Sequence, residues 1–547
     1  NNWCSTDASF TTIGGTPDLN AGSCWNNSGP QFNRWFKFTA VSDTVTIVVD
    51  RGGTKGSQRR TQLALWEDDG VTERQCARYS FNDEDVSLTD GNLTVGNVYY
   101  ISVDAFNTSY DGTFTLCIDN VDIEYFSRAD GDWTNPNTWS NVDHTGVAAP
   151  DYPDVGDIVF IEGHQVTLDA NVECAEVSIN AATANTELII DGFTLDVDGK
   201  FKMLNPGNNF NADLSLINGG SLDVLDSLIV ERQGGANGLS IVQATNTSII
   251  VNKDLMFRSS GGTSVENSYT LNGTASLLVG RDLLMSEDGG IKSKITANNN
   301  AAIDIIEGLD FSGTTDDRLE IEMNDNSTFK IGGNITLGSP EYGILDFNDN
   351  TALELNGTSK QTLPTFNGSG GADFFDVPRI IFNNTFGAIP QIELTDDLTI
   401  NDYLFFGDGV LGTNGNTLIF EVGAYATNDN TESYVDGPVQ INGNANAYFP
   451  LGDDDVWAPL ELENLTGDVA TTFTAQYFFS AFGTYATDAM LNNVSTLEYW
   501  TIDNGGTVSD ADVTLHFKDT SRSRIDSLPG LMIAHYNTVG GIWENLG

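Results

Sequence analysis

The sequence predicts an all-β protein, a right-handed parallel β-helix flanked by two β-sandwich domains, and three observations carry that prediction. Its 547 residues break into short apolar runs that alternate with period two, and no long stretch shows helical spacing of apolar residues. Glycine is abundant at 56 and proline sparse at 14, with Asn, Asp, Ser and Thr between the runs, which is the texture of many strands and many turns. Between residues 158 and 427 the apolar positions recur every 24 to 28 residues, as they do in a solenoid. The length suits about three units, expected at 1–121, 122–430 and 431–547.

Residues 1–121 carry alternating runs at 33–40, 44–49, 62–66, 98–103 and 112–118, the half-buried strands of a sandwich. In order, RWFKFTA, TVTIVV, QLALWED, GNLTVGNVYYISVDAF and GTFTLCI resemble the bacterial pre-peptidase C-terminal domain over nearly the whole unit. The resemblance implies a jelly-roll-like accessory module of secreted proteins, used in binding or solubility rather than chemistry. Trp25, Trp66 and Tyr110 are candidates for stacking on sugars, with core or rim packing as the alternative. Four of the five cysteines, Cys4, Cys24, Cys76 and Cys117, fall in this unit. Four in one small unit indicate two disulfides and an oxidising compartment. Cys4 with Cys24 and Cys76 with Cys117 is the preferred pairing, because each bridge closes one local piece; the other pairings stay open. Zinc is disfavoured, since no short C-x-x-C spacing and no histidine occur there.

The repeat follows. Leu195, Leu222, Ile249, Leu277, Ile303, Phe329 and Leu353 are spaced by 27, 27, 28, 26, 26 and 24 residues. Two residues after each anchor stand Val197, Val224, Val251, Val279, Ile305, Ile331 and Leu355. Further apolar columns run from Phe201 through Leu228 to Ile335 and from Met203 through Val230 to Leu337. Each coil is therefore expected to hold two inward pairs around a polar corner, preceded by a third short strand such as that at Leu214 and Leu216. About ten such coils would stack to make a core that none could build alone. A cap is expected at 131–168, where GDWTNPNTWSN and PDYPDVGDIVFIEGHQVTL resemble the opening of G8-type β-helix modules common in secreted Bacteroidetes proteins. Trp133 and Trp139 would plug the first coil. His164 reads as a turn residue with no partner for metal or acid–base chemistry, and Cys174 as a buried free thiol.

The last unit again shows short alternating strands. Tyr434-Val435-Asp436-Gly437-Pro438, Phe449-Pro450-Leu451-Gly452 and Glu498-Tyr499-Trp500 resemble the immunoglobulin-like module that precedes the sorting domain in type IX secretion cargo. The resemblance implies export by that machinery to the outer cell surface or the medium, in a surface adhesin of the kind used in attachment or gliding. The chain is also expected to be part of a longer polypeptide.

Twenty-four Lys and Arg stand against 77 Asp and Glu, a net charge of −53. Such a surface repels nucleic acid, anionic lipid and polyuronates. No apolar run reaches membrane-spanning length. Calcium is the one cofactor the composition suggests, with Asp83, Glu84, Asp85, Asp453, Asp454 and Asp455 as candidate oxygen ligands, although neither cluster has EF-hand spacing. The enzyme alternative is a polysaccharide lyase or hydrolase. A hydrolase needs two carboxylates about 5 to 9.5 Å apart, and pairs such as Asp316 and Asp317 are too plentiful to mark one. Lys253, Arg281, Lys294 and Arg318 are scattered along the coils, and all nine tryptophans lie outside 140–456. The expected function is attachment through surface glycans or other surface proteins, with no enzymatic activity. A passive filament or cargo subunit is the remaining reading.

Overall fold

The computed structural model describes residues 2–26, 29–40, 45–80, 84–91, 93–94, 96–120, 123–207, 209–234, 237–260, 266–288, 292–313, 319–337, 343–348, 350–364, 375–466, 471–506 and 510–546. It is essentially all-β: a parallel β-solenoid with smaller sandwich-like sheet domains before and after it in the chain. Contacts group the chain into two units, 1–178 with 195–200, and 179–194 with 201–547. Among the described residues no helix is long and apolar enough to cross a membrane.

In the first unit, Val45–Asp50 lies between Thr113–Asp119 and Val86–Asp90 in one antiparallel sheet, while Val98–Ala105 lies between Arg34–Thr39 and Thr61–Trp66 in another. Alternation sends Val45, Ile47 and Val49 inward to meet Leu63, Leu65, Ile101, Val103 and Leu116 in one core. Each such aliphatic side chain contributes about 1.5–3 kcal/mol on burial.

The disulfides correct the expected pairing. Cys4 is bonded to Cys117 and Cys24 to Cys76. The N-terminal strand Asn2–Cys4 runs antiparallel to Thr113–Asp119 with Cys4 directly opposite Cys117, so strand order, not sequence proximity, chose the partner. Cys76 stands opposite Ala64 on the neighbouring strand. The Trp25 indole N–H donates to the Leu63 carbonyl at 3.2 Å, which lays Cys24 over that same strand. Cys174 is a buried free cysteine, as expected.

Beyond the sandwich, Glu124–Ser127 pairs in parallel with Ile158–Glu162. The antiparallel strand Trp139–Ser140 covers its other edge, which removes an open ladder. Trp133 and Trp139 are fully buried with ring centroids 5.1 Å apart. Their indole N–H groups donate to the carbonyls of Pro153 and Trp133 at 3.0 and 2.7 Å.

The second unit carries the stack. Its coils lay strands on three faces. The first runs from Phe201–Asn205 to Ile335–Leu337, the second from Thr186–Asp191 to Gly343–Phe347, and the third from Ser221–Val224 to Tyr425–Thr427. The sequence columns are the structural columns. Leu222, Ile249, Leu277, Ile303, Phe329 and Leu353 sit in unbroken parallel register, and so do Leu228, Leu255, Leu283, Leu309 and Ile335. All of these are buried.

The corner between the second and third faces explains the recurring Asn, Asp and Gly. Gly192, Asn218, Asn246, Gly273, Asn299 and Asp325 all take positive φ, a conformation that glycine and these short polar residues tolerate best. Beside them Asn298, Asn324 and Asn348 each donate through Nδ2 to the Oδ1 of the asparagine one coil back, at 3.1–3.2 Å, beginning from Asn272. Parallel pairing continues through Val435–Asp436, Val439–Asn442 and Leu451–Asp453, in the segment the sequence assigns to the last module. Antiparallel strands Thr472–Phe478 and Val456–Trp457 then close it.

Candidate functional site

The acidic candidates are held by separate partners. Asp83 lies outside the described residues. Glu84 accepts from the Ser80 backbone N–H, and Asp85 from that of Arg51 at 2.8 Å. Asp453, Asp454 and Asp455 form the tip of a hairpin, since Asp453 pairs with Val456. The Asp453 carboxylate accepts from the Phe479 N–H at 2.7 Å, the Asp454 carbonyl accepts from the Tyr434 hydroxyl, and Asp455 pairs with Arg522.

A cluster that the sequence did not single out is better gathered. The carboxylates of Glu320, Glu322 and Asp346 lie within 4.8 Å of one another on the second face, where Glu322 and Asp346 are register neighbours. This spacing can coordinate a divalent cation. Lysines already meet part of the charge: Lys294 Nζ reaches Glu320 at 2.7 Å and Glu322 at 2.9 Å, and Lys292 also pairs with Glu320. Burial raises the Glu320 pKa, but the two ammonium groups outweigh it and hold the carboxyl below its ordinary value. Other coil cations likewise bridge adjacent coils: Lys253 to Asp226 at 2.9 Å, Arg281 to Asp254 at 3.4 Å, and Lys330 to Glu354 at 2.9 Å. Asp316, Asp317 and Arg318 lie outside the described residues.

His164 lies in the turn between Ile158–Glu162 and Gln165–Leu168, as expected, and is hydrogen-bonded there. Its Nδ1 lies 3.1 Å from the Ser127 hydroxyl, and His144 Nδ1 lies 3.5 Å from that oxygen and 2.7 Å from the Ser127 carbonyl. The Glu162 N–H donates to Ser127 Oγ at 3.0 Å. Burial foremost, and His144 in addition, lower the His164 pKa against the pull of Asp130. Ser127 is fully buried, so this group ties the cap together and offers no nucleophile to a polymer.

The aromatics divide by environment. Trp25 and Trp66 are buried together, and the Trp66 indole donates to Ser102 Oγ at 2.8 Å. Tyr110 has the Arg60 guanidinium 4.3 Å from its ring centroid. None of the three is an open platform. Outward-facing rings occur instead on the third face near the end of the stack. Arg379, Tyr403 and Tyr425 occupy one register column and Ile381, Phe405 and Thr427 the next, while Ile380, Leu404 and Phe406 between them are buried. The Tyr403 and Tyr425 centroids are 6.2 Å apart at 33°.

No protein-family model matches the chain, and no curated protein matches it. A solved structure described as "Crystal structure of Agl-KA catalytic domain" aligns at 12% identity over 72% of this chain and 86% of that chain with a TM-score of 0.14; at that score the likeness carries no argument.

Proposed function

We propose that this chain is a non-enzymatic extracellular attachment protein whose solenoid holds binding surfaces in fixed register. The observation that carries the reading is the unbroken column from Leu222 to Leu353. A stack in which each coil is locked to both neighbours gives a stiff element with a repeating outer face, suited to presenting contacts rather than closing around a substrate. The two disulfides of the N-terminal sandwich fit an oxidising exterior, and the charge of −53 suits exposure to solvent and divalent cations. The export route consistent with the sequence resemblance is type IX secretion, and gliding or surface attachment is the setting it implies. The test is adhesion of beads coated with the purified chain to glycan surfaces and to cells, with and without EDTA, together with an assay for new reducing or unsaturated sugar ends. Retention without chain cleavage is expected. Release of new ends would sink the non-enzymatic reading in favour of a polysaccharide-degrading enzyme.

A further inference from the structure

We propose that the outward strip Arg379, Tyr403, Phe405, Tyr425, Tyr448 and Trp457 binds an uncharged polysaccharide chain; the inference rests on the attachment reading and gives it one site, on the third face and the strands that follow it. Tyr403 and Tyr425 stand on successive third-face strands in register, so their backbone positions repeat at about the 4.8 Å strand spacing and their rings lie with centroids 6.2 Å apart. Tyr425 is 55% exposed, and the hydroxyls of Tyr403 and Tyr425 have no hydrogen-bond partner among the described residues. An exposed ring beside half-buried rings in register makes a continuous aromatic surface, and such patches mark contact surfaces. The Arg379 guanidinium lies 5.5 Å from the Tyr403 centroid and pairs with Asp402, so the cation is neutralised and fixes the first ring.

The strip continues past the last parallel strand of this face. Strand Ala447–Phe449 packs beside Tyr425–Thr427 and buries Ala447 and Phe449, which turns Tyr448 outward between them. A single carboxylate then orients two rings: Asp429 Oδ2 accepts from the Tyr448 hydroxyl at 2.6 Å and from the Trp457 indole N–H at 2.7 Å. Both rings remain partly exposed. Polar edges fixed by a shared acceptor leave aromatic surface held in place without a further ordering cost on binding.

Sugar rings suit this surface. The C–H groups on the face of a pyranose carry slight positive charge and pack on the negative face of an aromatic ring, and their hydroxyls can bond with tyrosine hydroxyls and carboxylates at the margin. Charge selects the class. The strip belongs to a chain of net charge −53, and its arginine is already paired, so a uronate or sulfated chain is repelled and an uncharged hexose polymer is not.

The experiment is affinity electrophoresis of the full chain through gels containing uncharged glucans, mannans or galactans, with alginate and polygalacturonate gels alongside, for wild type, Tyr403→Ala/Tyr425→Ala and Tyr425→Trp. Wild type should be retarded by an uncharged polymer. The double variant should lose about tenfold in affinity at an unchanged melting temperature, and Tyr425→Trp should keep the affinity. If wild type is retarded but the double variant equally so, the strip is not the site while the attachment reading survives. Retardation only by the uronate gels overturns the ligand class. Retardation by no gel overturns this inference, and the attachment reading falls with it only if coated beads also fail to adhere to cells.

Discussion

At the scale of single residues, the half-buried asparagines of the corner are the most exacting positions. Asn324 Nδ2 donates to Asn298 Oδ1, and its own Oδ1 accepts from Asn348. Asn324→Ala removes both bonds and strands a donor on one neighbour and an acceptor on the other, so it should cost about 1–3 kcal/mol, read from urea unfolding. A change within error would mean that water replaces the ladder. The bridge between Cys4 and Cys117 gives a second expectation. Peptide mapping without reduction should recover these two cysteines in one fragment, and Cys4→Ser/Cys117→Ser should destabilise the sandwich by about 2–5 kcal/mol. Recovery of Cys4 with Cys24 instead would contradict the strand order seen here. That cysteine pairs exist was legible in the sequence; which pairs was not, because the choice follows from Asn2–Cys4 lying against Thr113–Asp119. His164 was legible as a turn residue, but its contact with the Ser127 hydroxyl was not, because folding alone brings the two together.

At the scale of elements, the inward columns were legible because burial forces one residue type to recur at one position in every coil. The outward ring column was not. Nothing forces outward residues to repeat, and the coils around it shorten: Arg379, Tyr403 and Tyr425 are register neighbours separated by 24 and then 22 residues. The same independence of coils yields a prediction. Ser248 pairs with Ser276 and Ser221 with Ser248, so excising 248–275 removes one complete turn and places Ser276 where Ser248 stood. Leu277 then stacks on Leu222 and Leu283 on Leu228, preserving apolar contact. Because each coil touches only its neighbours, the shortened chain should stay folded, with an unchanged far-ultraviolet circular dichroism shape and a single melting transition for the stack. Loss of that signal would show that the coils are not interchangeable. One candidate cause is Gln243, whose Oε1 accepts from the buried Tyr269 hydroxyl at 2.5 Å, a bond the excision removes.

At the scale of the whole molecule, the acidic surface and three buried or half-buried carboxylates act in one direction. Burial foremost pushes the pKa of Asp157 up to about 7, that of Asp213 up to about 6 with Glu187 adding to it, and that of Asp436 up to about 6 with Asp453 and Asp454 adding to it. In the unfolded chain these groups return to near 3.8. Between those values the native state holds more protons than the unfolded state, so stability is greatest below the unfolded pKa and is lost as pH rises through about 6 to 7. Glu320 opposes this at the acid end: its pKa is depressed, so its contribution is lost as pH falls below the ordinary glutamate range. The melting temperature should therefore be highest near about pH 4 and decline until about pH 7, where the last of these groups has ionised. Asp157→Asn/Asp213→Asn/Asp436→Asn should flatten the decline by removing one buried and two half-buried carboxylates whose ionisation burial opposes. Repulsion among the 77 acidic residues adds a term that salt screens, so sodium chloride should raise the melting temperature more on the alkaline side than at the optimum. Calcium at matched ionic strength should raise it further if Glu320, Glu322 and Asp346 take the ion, and Asp346→Asn should remove that increment alone. A melting temperature that climbs steadily from about pH 4 to about pH 7 would mean that these carboxylates ionise in the folded protein without cost.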